Sequence, residues 1–303
     1  MAQVESKGIL IGEVETKNIM TKSSLPIGGY SVNPYVGCTH ACKYCYASFM
    51  KRFTGHTEEW GTFLDIKHWP EIKHPQKYAG QRVVIGSVTD GYNPQEEQFG
   101  NTRKLLEQLK GSGADILICT KSDLVVRDID LLKELGQVTV SWSINTLDED
   151  FRRDMDNAVS IERRLAAMKQ VYDAGIRTVC FVSPVFPGIT DFEAIFQRVK
   201  DQCDLFWLEN LNLRGGFKKT IMDYIKEKYP DLYPLYDAIY NKHDRSYFSA
   251  LEKKAAEIAK QYDCTFIDNE MPYGRVPQGH PVIVDYFYHE EVRGTDNTGK
   301  RNK

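Results

Sequence analysis

The strongest constraint on the fold is a repeated alternation of short β-rich segments with amphipathic helical segments. The strand-like segments are Arg82–Val88, Asp115–Thr120, Val138–Ile144, Arg177–Ser183 and Leu205–Leu208. The helix-like segments are Asn101–Lys110, Asp128–Leu135, Ile161–Ala174 and Asp191–Lys200. Because parallel strands need a long crossover, usually a helix, this order predicts a parallel sheet covered by helices. The repeats are too few for a closed eight-unit barrel, which favours a partial barrel or an open sheet.

The helical segments carry recognisable internal signals. The apolar residues of Ile161–Ala174 recur at the spacing of one helix face, and Gly175 follows at the expected C-cap. Thr190 stands where it can cap the segment that follows it, whose apolar residues again form one stripe. These signals support helices between the strands.

The pattern divides the chain into three parts. Residues 1–27 are polar and are expected to form an irregular leader, whereas residues 28–215 carry the α/β repeat. After the break at Gly215–Gly216, residues 216–303 predict a small α/β C-terminal extension. Its expected elements are two helices, a short strand, an aromatic stretch and a disordered tail, at Thr220–Lys228, Tyr247–Tyr262, Thr265–Ile267, Val282–Tyr288 and Arg293–Lys303.

Composition excludes several classes of protein. Hydrophobic residues make up 42% of the 303 residues and charged residues 27%, as in soluble globular proteins. A net charge of −3 lacks the basic excess of a dedicated nucleic-acid binder. The chain has no apolar run of membrane-spanning length, and Met1–Leu10 does not resemble a secretory signal. We therefore expect a cytoplasmic protein without a membrane partner.

Three of the seven cysteines, Cys38, Cys42 and Cys45, lie within eight residues at the spacing C-x3-C-x2-C. An odd number of cysteines without a secretory signal argues against a disulfide framework. Three thiolates from one loop can hold a cubic 4Fe–4S cluster and leave one iron open for a ligand. Cys119 and Cys180 lie in strand-like segments and are expected to be small core residues.

Zinc is the alternative metal for this loop, with His40 as a further ligand. Zinc motifs usually combine two C-x2-C units, however, and no second unit follows in this chain. The spacing therefore favours the iron–sulfur cluster.

The segment NPYVGCTHACKYCYA, with its pattern C-x3-C-x-Tyr-C, resembles the signature of the radical S-adenosylmethionine superfamily. In that superfamily the open iron binds S-adenosylmethionine, and one electron cleaves the sulfonium. The resulting 5′-deoxyadenosyl radical abstracts a substrate hydrogen. The resemblance implies both cofactors, an electron donor such as flavodoxin or ferredoxin, and a partial (β/α)6 parallel barrel.

Further segments narrow the resemblance. IGSVTDGYNPQE, ICTKSDLVVRDIDLL, VSWSINTLDE, RRLAAMKQVYDAGI and VSPVFPGITD follow in this order. Together they resemble the spore photoproduct lyase-like family, also described as DNA repair photolyase-like, over about residues 30–215.

The resemblance implies roles for individual residues. Tyr44 is expected to lie against the adenine, and Lys121 to meet the carboxylate of S-adenosylmethionine. Ser143 is expected to hydrogen-bond the same cofactor, and Arg164 to add a second charged contact. The backbone of Val185–Gly188 is expected to pass near the adenine. Lys121, Ser143 and this loop follow strand ends, where parallel sheets place their active sites.

One departure from the family concerns Ser87. The lyases carry a hydrogen-donating cysteine in a C-T-S-D segment, where this chain reads Ser87-Val88-Thr89-Asp90. A serine O–H bond is too strong to donate a hydrogen atom to a carbon radical as a thiol does. The sequence therefore predicts an enzyme related to photoproduct lyase that is not a true spore photoproduct lyase. Tyr44 and Tyr46 stand near the tyrosines implicated in the radical relay of the lyase, so they join Ser87 as candidate catalytic residues.

Two functions of different classes remain open at this point. The first is a radical enzyme acting on nucleic acid, a peptide or a small molecule. The second is a non-catalytic iron–sulfur redox or sensor protein, in which Lys121 and Ser143 would have no cofactor to bind. Other polar candidates for a substrate site are His56, His68, His74, Asp90, Tyr92, Asn93, Glu209, Asn210, Asn212, Arg214 and the aromatic run at 286–289.

Overall fold

The computed structural model describes residues 4–6, 8–23, 29–213, 215–267 and 282–285. Its strands are β1 (Val4–Ser6), β2 (Ile9–Glu15), β3 (Thr21–Lys22), β4 (Tyr30–Val32), β5 (Tyr35–Val36), β6 (Phe63–His68), β7 (Arg82–Ile85), β8 (Asp115–Thr120), β9 (Val138–Ser143), β10 (Arg177–Val185), β11 (Leu205–Asn210), β12 (Thr265–Ile267) and β13 (Val282–Asp285). Its α-helices are α1 (Glu96–Phe99), α2 (Asn101–Gln108), α3 (Ile129–Leu135), α4 (Glu149–Met155), α5 (Ile161–Asp173), α6 (Phe192–Val199), α7 (Gly216–Lys228), α8 (Tyr233–Tyr240) and α9 (Ser246–Gln261). Short 3₁₀ helices occupy Tyr46–Phe53, Pro75–Tyr78, Leu124–Asp128 and Pro230–Leu232.

The main sheet has nine strands in the order β12-β13-β11-β10-β9-β8-β7-β4-β3. Six of them, β4 and β7 to β11, lie side by side in the order in which they occur along the chain, and each pairs in parallel with the next. The predicted partial (β/α)6 parallel barrel is therefore confirmed. The first of these six strands, β4, was not among the predicted strand segments.

The expectation of an irregular leader is wrong for Ile9–Glu15. This segment forms β2, which pairs with β6 in a second sheet of order β1-β2-β6-β5. Ile11 on β2 is buried with Tyr35 and Leu64 in a small core of its own. That apolar contact, made with residues far along the chain, explains why a largely polar segment becomes a strand.

The C-terminal extension continues the main sheet. Strand β13 pairs in parallel with β11, and β12 pairs in parallel with β13. Helix α9 packs on this edge through the buried Ala255 and Ile258. The boundaries at 28 and 215 stay predictions, and residues 286–303, with the aromatic run and the tail, lie outside the described part of the chain. No helix in the described ranges is long and apolar enough to cross a membrane.

The two faces of the main sheet carry different side chains. Ile118, Val140, Cys180 and Phe206 belong to the large core formed with the helices. Since successive strand residues alternate between faces, their neighbours point to the concave face, which we call the lumen. One lumen row, fixed by the strand register, consists of Cys119, Ser141, Val179, Leu205 and Val282. The next row consists of Ser143, Phe181, Trp207 and Val284.

Candidate iron–sulfur site at the mouth of the barrel

The three-cysteine loop begins directly after β5. Gly37 has a φ of +86°, and a Cβ atom there would lie 2.4 Å from the carbonyl oxygen of Phe63, so glycine is needed for the turn. The loop is anchored to the end of α4, because the Lys43 N–H donates to the Met155 carbonyl at 2.9 Å. The Asn157 N–H donates to the His40 carbonyl at 2.7 Å. These two hydrogen bonds hold the cysteine loop on both sides of Cys42.

The three thiols lie within electrostatic range of one another. Burial raises the pKa of Cys38, and the charges of Asp90, Cys42 and Cys45 raise it further. Burial also raises the pKa of Cys42 to about 12, against the opposing charge of Lys121. Among the described residues, no three His, Cys, Asp or Glu side chains are arranged to hold a single metal ion. The donor set of three thiols in one loop fits a cubic cluster with one open iron.

His40 supplies an independent sign that the loop accommodates another group. Its Nε2 lies 2.9 Å from Oδ2 of Asp90, and the residue is only 2% exposed. Its Nδ1 atom is buried and has no hydrogen-bond partner within the part of the chain that the structure describes. A buried polar atom without a partner costs free energy, so a group bound in the loop would relieve that cost. The zinc alternative also uses this ring, and a carboxylate on Nε2 is compatible with a metal on Nδ1, so His40 does not decide between the two groups.

Asp90 connects the loop to the end of β8. Its carboxylate accepts hydrogen bonds from the Thr120 hydroxyl at 2.9 Å and the Lys121 N–H at 2.7 Å. Burial acts to raise the pKa of Asp90, but the nearby His40 and the backbone N–H groups of Lys121 and Tyr92 outweigh it and hold the pKa below its usual value. Asp90 therefore stays ionised and fixes both the imidazole and the backbone of Lys121.

Cys42 belongs to a network of polar and charged side chains. It comprises Cys42, Tyr44, Lys121, Asp156 and Arg164, and we call it the rim network. Arg164 is fully buried and donates to Oδ1 of Asp156 at 2.8 Å. The Tyr44 hydroxyl donates to Oδ2 of the same carboxylate at 3.4 Å, and Nζ of Lys121 lies 5.8 Å from the centre of the Tyr44 ring. Burial acts to lower the pKa of Lys121, but the charges of Cys42 and Asp156 outweigh it, so the pKa is raised and the ammonium is kept.

The structure thus brings Tyr44, Lys121 and Arg164 together beside the cysteines. Arg164 directs its guanidinium to protein atoms, because it also donates to the carbonyl oxygens of Val159 at 2.9 Å and Ser143 at 3.2 Å. Its expected contact with S-adenosylmethionine stays a prediction, as does that of the Ser143 hydroxyl on the lumen side of β9.

The Val185–Gly188 loop divides between two environments. Val185 is buried in the large core, whereas the Phe186 ring lies edge-on to Tyr44, with centroids 5.4 Å apart. The Gly188 N–H donates to the Tyr247 hydroxyl of α9 at 2.8 Å. Phe186 is therefore the part of this loop that touches the rim network, and Gly188 ties the loop to the extension.

Ser87 and Tyr46 are joined at the end of β7. The Tyr46 hydroxyl donates to the Ser87 carbonyl, and the Ser87 hydroxyl hydrogen-bonds with the Ser31 hydroxyl. The Asn33 amide also donates to the Ser87 hydroxyl, at 3.2 Å. Tyr46 is 56% exposed, so it lies at the surface of the mouth, whereas Tyr44 is buried.

Sequence reasoning missed Asp156, Asn145 and the pairing of His40 with Asp90. Asp156 holds Arg164 and Tyr44, yet no local pattern marks it. The His40–Asp90 pair joins two segments 50 residues apart, which only the fold reveals. Asn145, in the SWSIN segment, is 3% exposed, and its Nδ2 has no hydrogen-bond partner among the described residues; its place beyond a strand end is the signal that marked Ser143.

Other residues named from the sequence lie apart from the mouth of the barrel. His56 bonds to Glu58 at 2.9 Å and to Asp65 at 3.0 Å and stacks on Phe63, which is a structural role. Cys180 is a core residue as expected, but Cys119 is only partly buried and belongs to the lumen face. Arg214 and the run at 286–289 lie outside the described residues.

Comparison with known proteins agrees with this architecture. Residues 32–199 match the family model of the Radical SAM superfamily. An uncharacterized protein of Methanocaldococcus jannaschii is 32% identical over 228 residues, covering 75% of this chain and 86% of that protein. The chain therefore belongs to the radical S-adenosylmethionine superfamily.

Two further similarities, at lower sequence identity, support less specific conclusions. A "Radical SAM Nalpha-GlyT isomerase" of Pseudomonas phage M6 is 25% identical over 180 residues, covering 57% of this chain and 36% of that protein. The structure of spore photoproduct lyase complexed with dinucleoside spore photoproduct aligns with a TM-score of 0.55 and 15% identity, covering 92% of this chain and 82% of that chain. At this identity the second likeness shows a shared fold.

Proposed function

We propose that this protein is a radical S-adenosylmethionine enzyme that holds a 4Fe–4S cluster on Cys38, Cys42 and Cys45. The observation that carries the proposal is the convergence of three thiols, one buried and two partly buried, with the Lys121 ammonium at the mouth of a parallel barrel. When bound, the cluster supplies the electron that cleaves S-adenosylmethionine to the 5′-deoxyadenosyl radical, which abstracts a substrate hydrogen.

The residues of the chain bind and orient the cofactor. Lys121 provides a positive charge for a carboxylate, and the nearby Asp156 favours its charged form. Tyr44 offers an aromatic face, fixed by its contacts with Asp156 and Phe186. Burial of these groups strengthens their electrostatic interactions and excludes water.

We further propose that the substrate is not spore photoproduct. The Ser87 hydroxyl engages Ser31 and Asn33 and cannot replace a thiol as a hydrogen-atom donor. Little or no conversion of dinucleoside spore photoproduct to two thymidines is expected from the wild-type protein, as measured by chromatography. Efficient conversion would show that Ser87 is the wrong residue on which to judge the substrate.

The radical function is tested without a substrate. Reconstituted protein given dithionite and S-adenosylmethionine is expected to form 5′-deoxyadenosine slowly, because cleavage needs only the reduced cluster and the bound sulfonium. Cys45→Ala should abolish the product. Cys264→Ala, a change at a cysteine outside the motif, is the matched control and should retain it.

If the wild type forms no 5′-deoxyadenosine and binds no S-adenosylmethionine, the alternative of an iron–sulfur redox or sensor protein is supported instead. In the cell we expect a flavodoxin or ferredoxin to supply the electron that dithionite supplies in this assay.

A further inference from the structure

A carboxyl group lies on the lumen side of the barrel at the end of β11. Glu209 accepts a hydrogen bond from the Ser183 hydroxyl of the neighbouring strand β10. Burial raises the pKa of Glu209, while this hydrogen bond and the positive charge of Lys121 oppose the rise. Its partial burial and its lumen face distinguish it from the surface carboxylates that pair along the helices.

Glu209 forms no ion pair with any residue that the structure describes, although the charge of Lys121 reaches it. Within the described residues, no Lys, Arg or His nitrogen lies within ion-pair distance of its carboxylate, and Ser183 is its hydrogen-bond donor. A carboxylate removed from water is normally paired or supplied with several donors. The remaining acceptor positions of Glu209 are therefore available to a molecule in the lumen.

A second polar group in the lumen also lacks a partner. Ser141 on β9 is 1% exposed, and its hydroxyl has no hydrogen-bond partner in the described ranges. Its strand neighbours Val140 and Trp142 pack into the helix-covered core, so Ser141 points to the lumen. Cys119 is its register partner on β8, and the charges of Asp90, Lys121 and Glu209 all act on that thiol. Strand register and charge therefore place Ser141, Cys119 and Glu209 on the same face of the sheet.

Aromatic rings lie on the lumen face between Ser141 and Glu209. Phe181 and Trp207 are register partners on β10 and β11, and their rings meet edge to face with centroids 5.7 Å apart. Trp207 precedes Glu209 by two residues, so both side chains lie on the same face of β11. A carboxylate beside an aromatic ring on the same face of a strand can attract an ammonium ion, through charge pairing and a cation–π contact.

We infer that the lumen binds the cationic amine of a substrate, with Glu209 as the residue that pairs with the ammonium and Trp207 as the aromatic surface beneath it. Ser141 is placed deeper in the lumen to accept or donate a hydrogen bond to the same ligand. The inference rests on the proposed function only in calling the ligand a substrate. Binding itself requires neither reductant nor turnover.

The test uses reconstituted protein with S-adenosylmethionine bound and no reductant present. Benzylammonium is the probe, and benzyl alcohol is its neutral counterpart of matched shape. Binding is followed by saturation-transfer NMR and by tryptophan fluorescence. Wild-type protein is expected to bind benzylammonium with a dissociation constant of about 1 mM, as suits a small fragment. Benzyl alcohol should bind at least about tenfold more weakly, since it lacks the charge.

Glu209→Gln keeps the size and the Ser183 acceptor but removes the charge. It should weaken benzylammonium binding about tenfold or more and leave benzyl alcohol unchanged. Glu193→Gln removes a carboxylate that pairs with Lys254 on the outer surface and is the control that should bind as the wild type does.

Three results would overturn the inference: no saturable benzylammonium binding, equal binding of the two probes to the wild type, or equal benzylammonium binding by wild type and Glu209→Gln. The comparison of the two probes on the wild type does not depend on the folding of any variant. Failure here with normal formation of 5′-deoxyadenosine would leave the proposed function standing.

Discussion

Two polar regions of the barrel differ in how far their side chains are paired. One is the rim network, and the other, which we call the lumen wall, is formed by Cys119, Ser141, Ser183 and Glu209. In the rim network, Asp156 bonds to Arg164 and Tyr44, and Arg164 also donates to two carbonyls. In the lumen wall, Glu209 has Ser183 as its donor and Ser141 has no partner among the described residues. Buried polar groups are normally satisfied, so the lumen wall, unlike the rim network, keeps polar positions open among the described residues, as the proposed amine site requires.

The largest effect is expected from breaking the rim network. Asp156→Ala leaves the fully buried Arg164 guanidinium without its carboxylate, which should lower the free energy of unfolding by about 3–5 kcal/mol. Urea unfolding followed by circular dichroism measures the change.

The exposed Lys169–Asp173 pair on α5 provides the control for Asp156→Ala. It is closed by contacts of 2.6 Å with both side chains about half exposed, so Asp173→Ala should cost at most about 0.5 kcal/mol. Equal losses from the two variants would show that the rim network does not depend on buried charge pairing.

The second effect concerns binding rather than stability. Lys121→Met removes the ammonium beside Tyr44 but keeps much of the apolar stem, so S-adenosylmethionine should bind more weakly by about 1.5–3 kcal/mol, the value of a charged hydrogen bond. Equilibrium dialysis with the reconstituted protein gives the two affinities.

Lys133→Met, on the surface helix α3, is the matched change and should bind the cofactor as the wild type does. An unchanged affinity in Lys121→Met would remove Lys121 from the cofactor site and weaken the distinction between rim and lumen.

A smaller effect is expected at the junction between the loop and β8. Thr120→Val removes the hydroxyl that donates to Asp90 at 2.9 Å and accepts from the Ser122 N–H at 2.9 Å, while keeping the shape of the side chain. The loss of these two hydrogen bonds, one of them to a buried charge, should cost about 1–2 kcal/mol in urea unfolding. Thr139→Val, on the lumen face of β9, is the matched control and is expected to change stability by less than about 0.5 kcal/mol. A larger loss at Thr139 than at Thr120 would contradict the assignment of Asp90 as the anchor.

The smallest effect is expected in the lumen wall, and it is the one that would raise the free energy of unfolding and not lower it. Ser141→Ala removes a buried hydroxyl that has no partner among the described residues, so it should leave stability unchanged or raise it by up to about 1 kcal/mol. Thermal and urea unfolding both measure this change. A loss above about 1 kcal/mol would mean that the hydroxyl is satisfied in the ligand-free protein, and the contrast between the regions would fail there.

Local sequence patterns predicted the repeated elements well. Strand Asp115–Thr120 was predicted with the ends that the structure shows, and Ile161–Ala174 differs from α5 by one residue. Both have strong local signals, namely a continuous apolar run and a helical stripe with a cap. Strands β2 and β6 lacked such signals, because their partners are distant in the chain and their burial depends on that pairing.

The sequence predicted which side chains gather at the mouth of the barrel but not how they bond to one another. The spacing of Cys38, Cys42 and Cys45 and the motif around Lys121 identified the mouth of the barrel. The pairs His40–Asp90 and Asp156–Arg164 could not be inferred, because hydrogen bonding between side chains on different elements leaves no periodic trace in the sequence. Cys119 was expected in the core, since an apolar run alone does not tell which face of a strand meets the helices.

The central claim is that the Cys38–Cys42–Cys45 loop holds a cubic cluster with one open iron. Iron and acid-labile sulfide analysis after anaerobic reconstitution tests it most directly. The account predicts about four irons and four sulfides per chain, lost when any of the three cysteines is replaced by alanine and retained in Cys264→Ala. A reconstituted protein that holds one tightly bound zinc and no sulfide would contradict it.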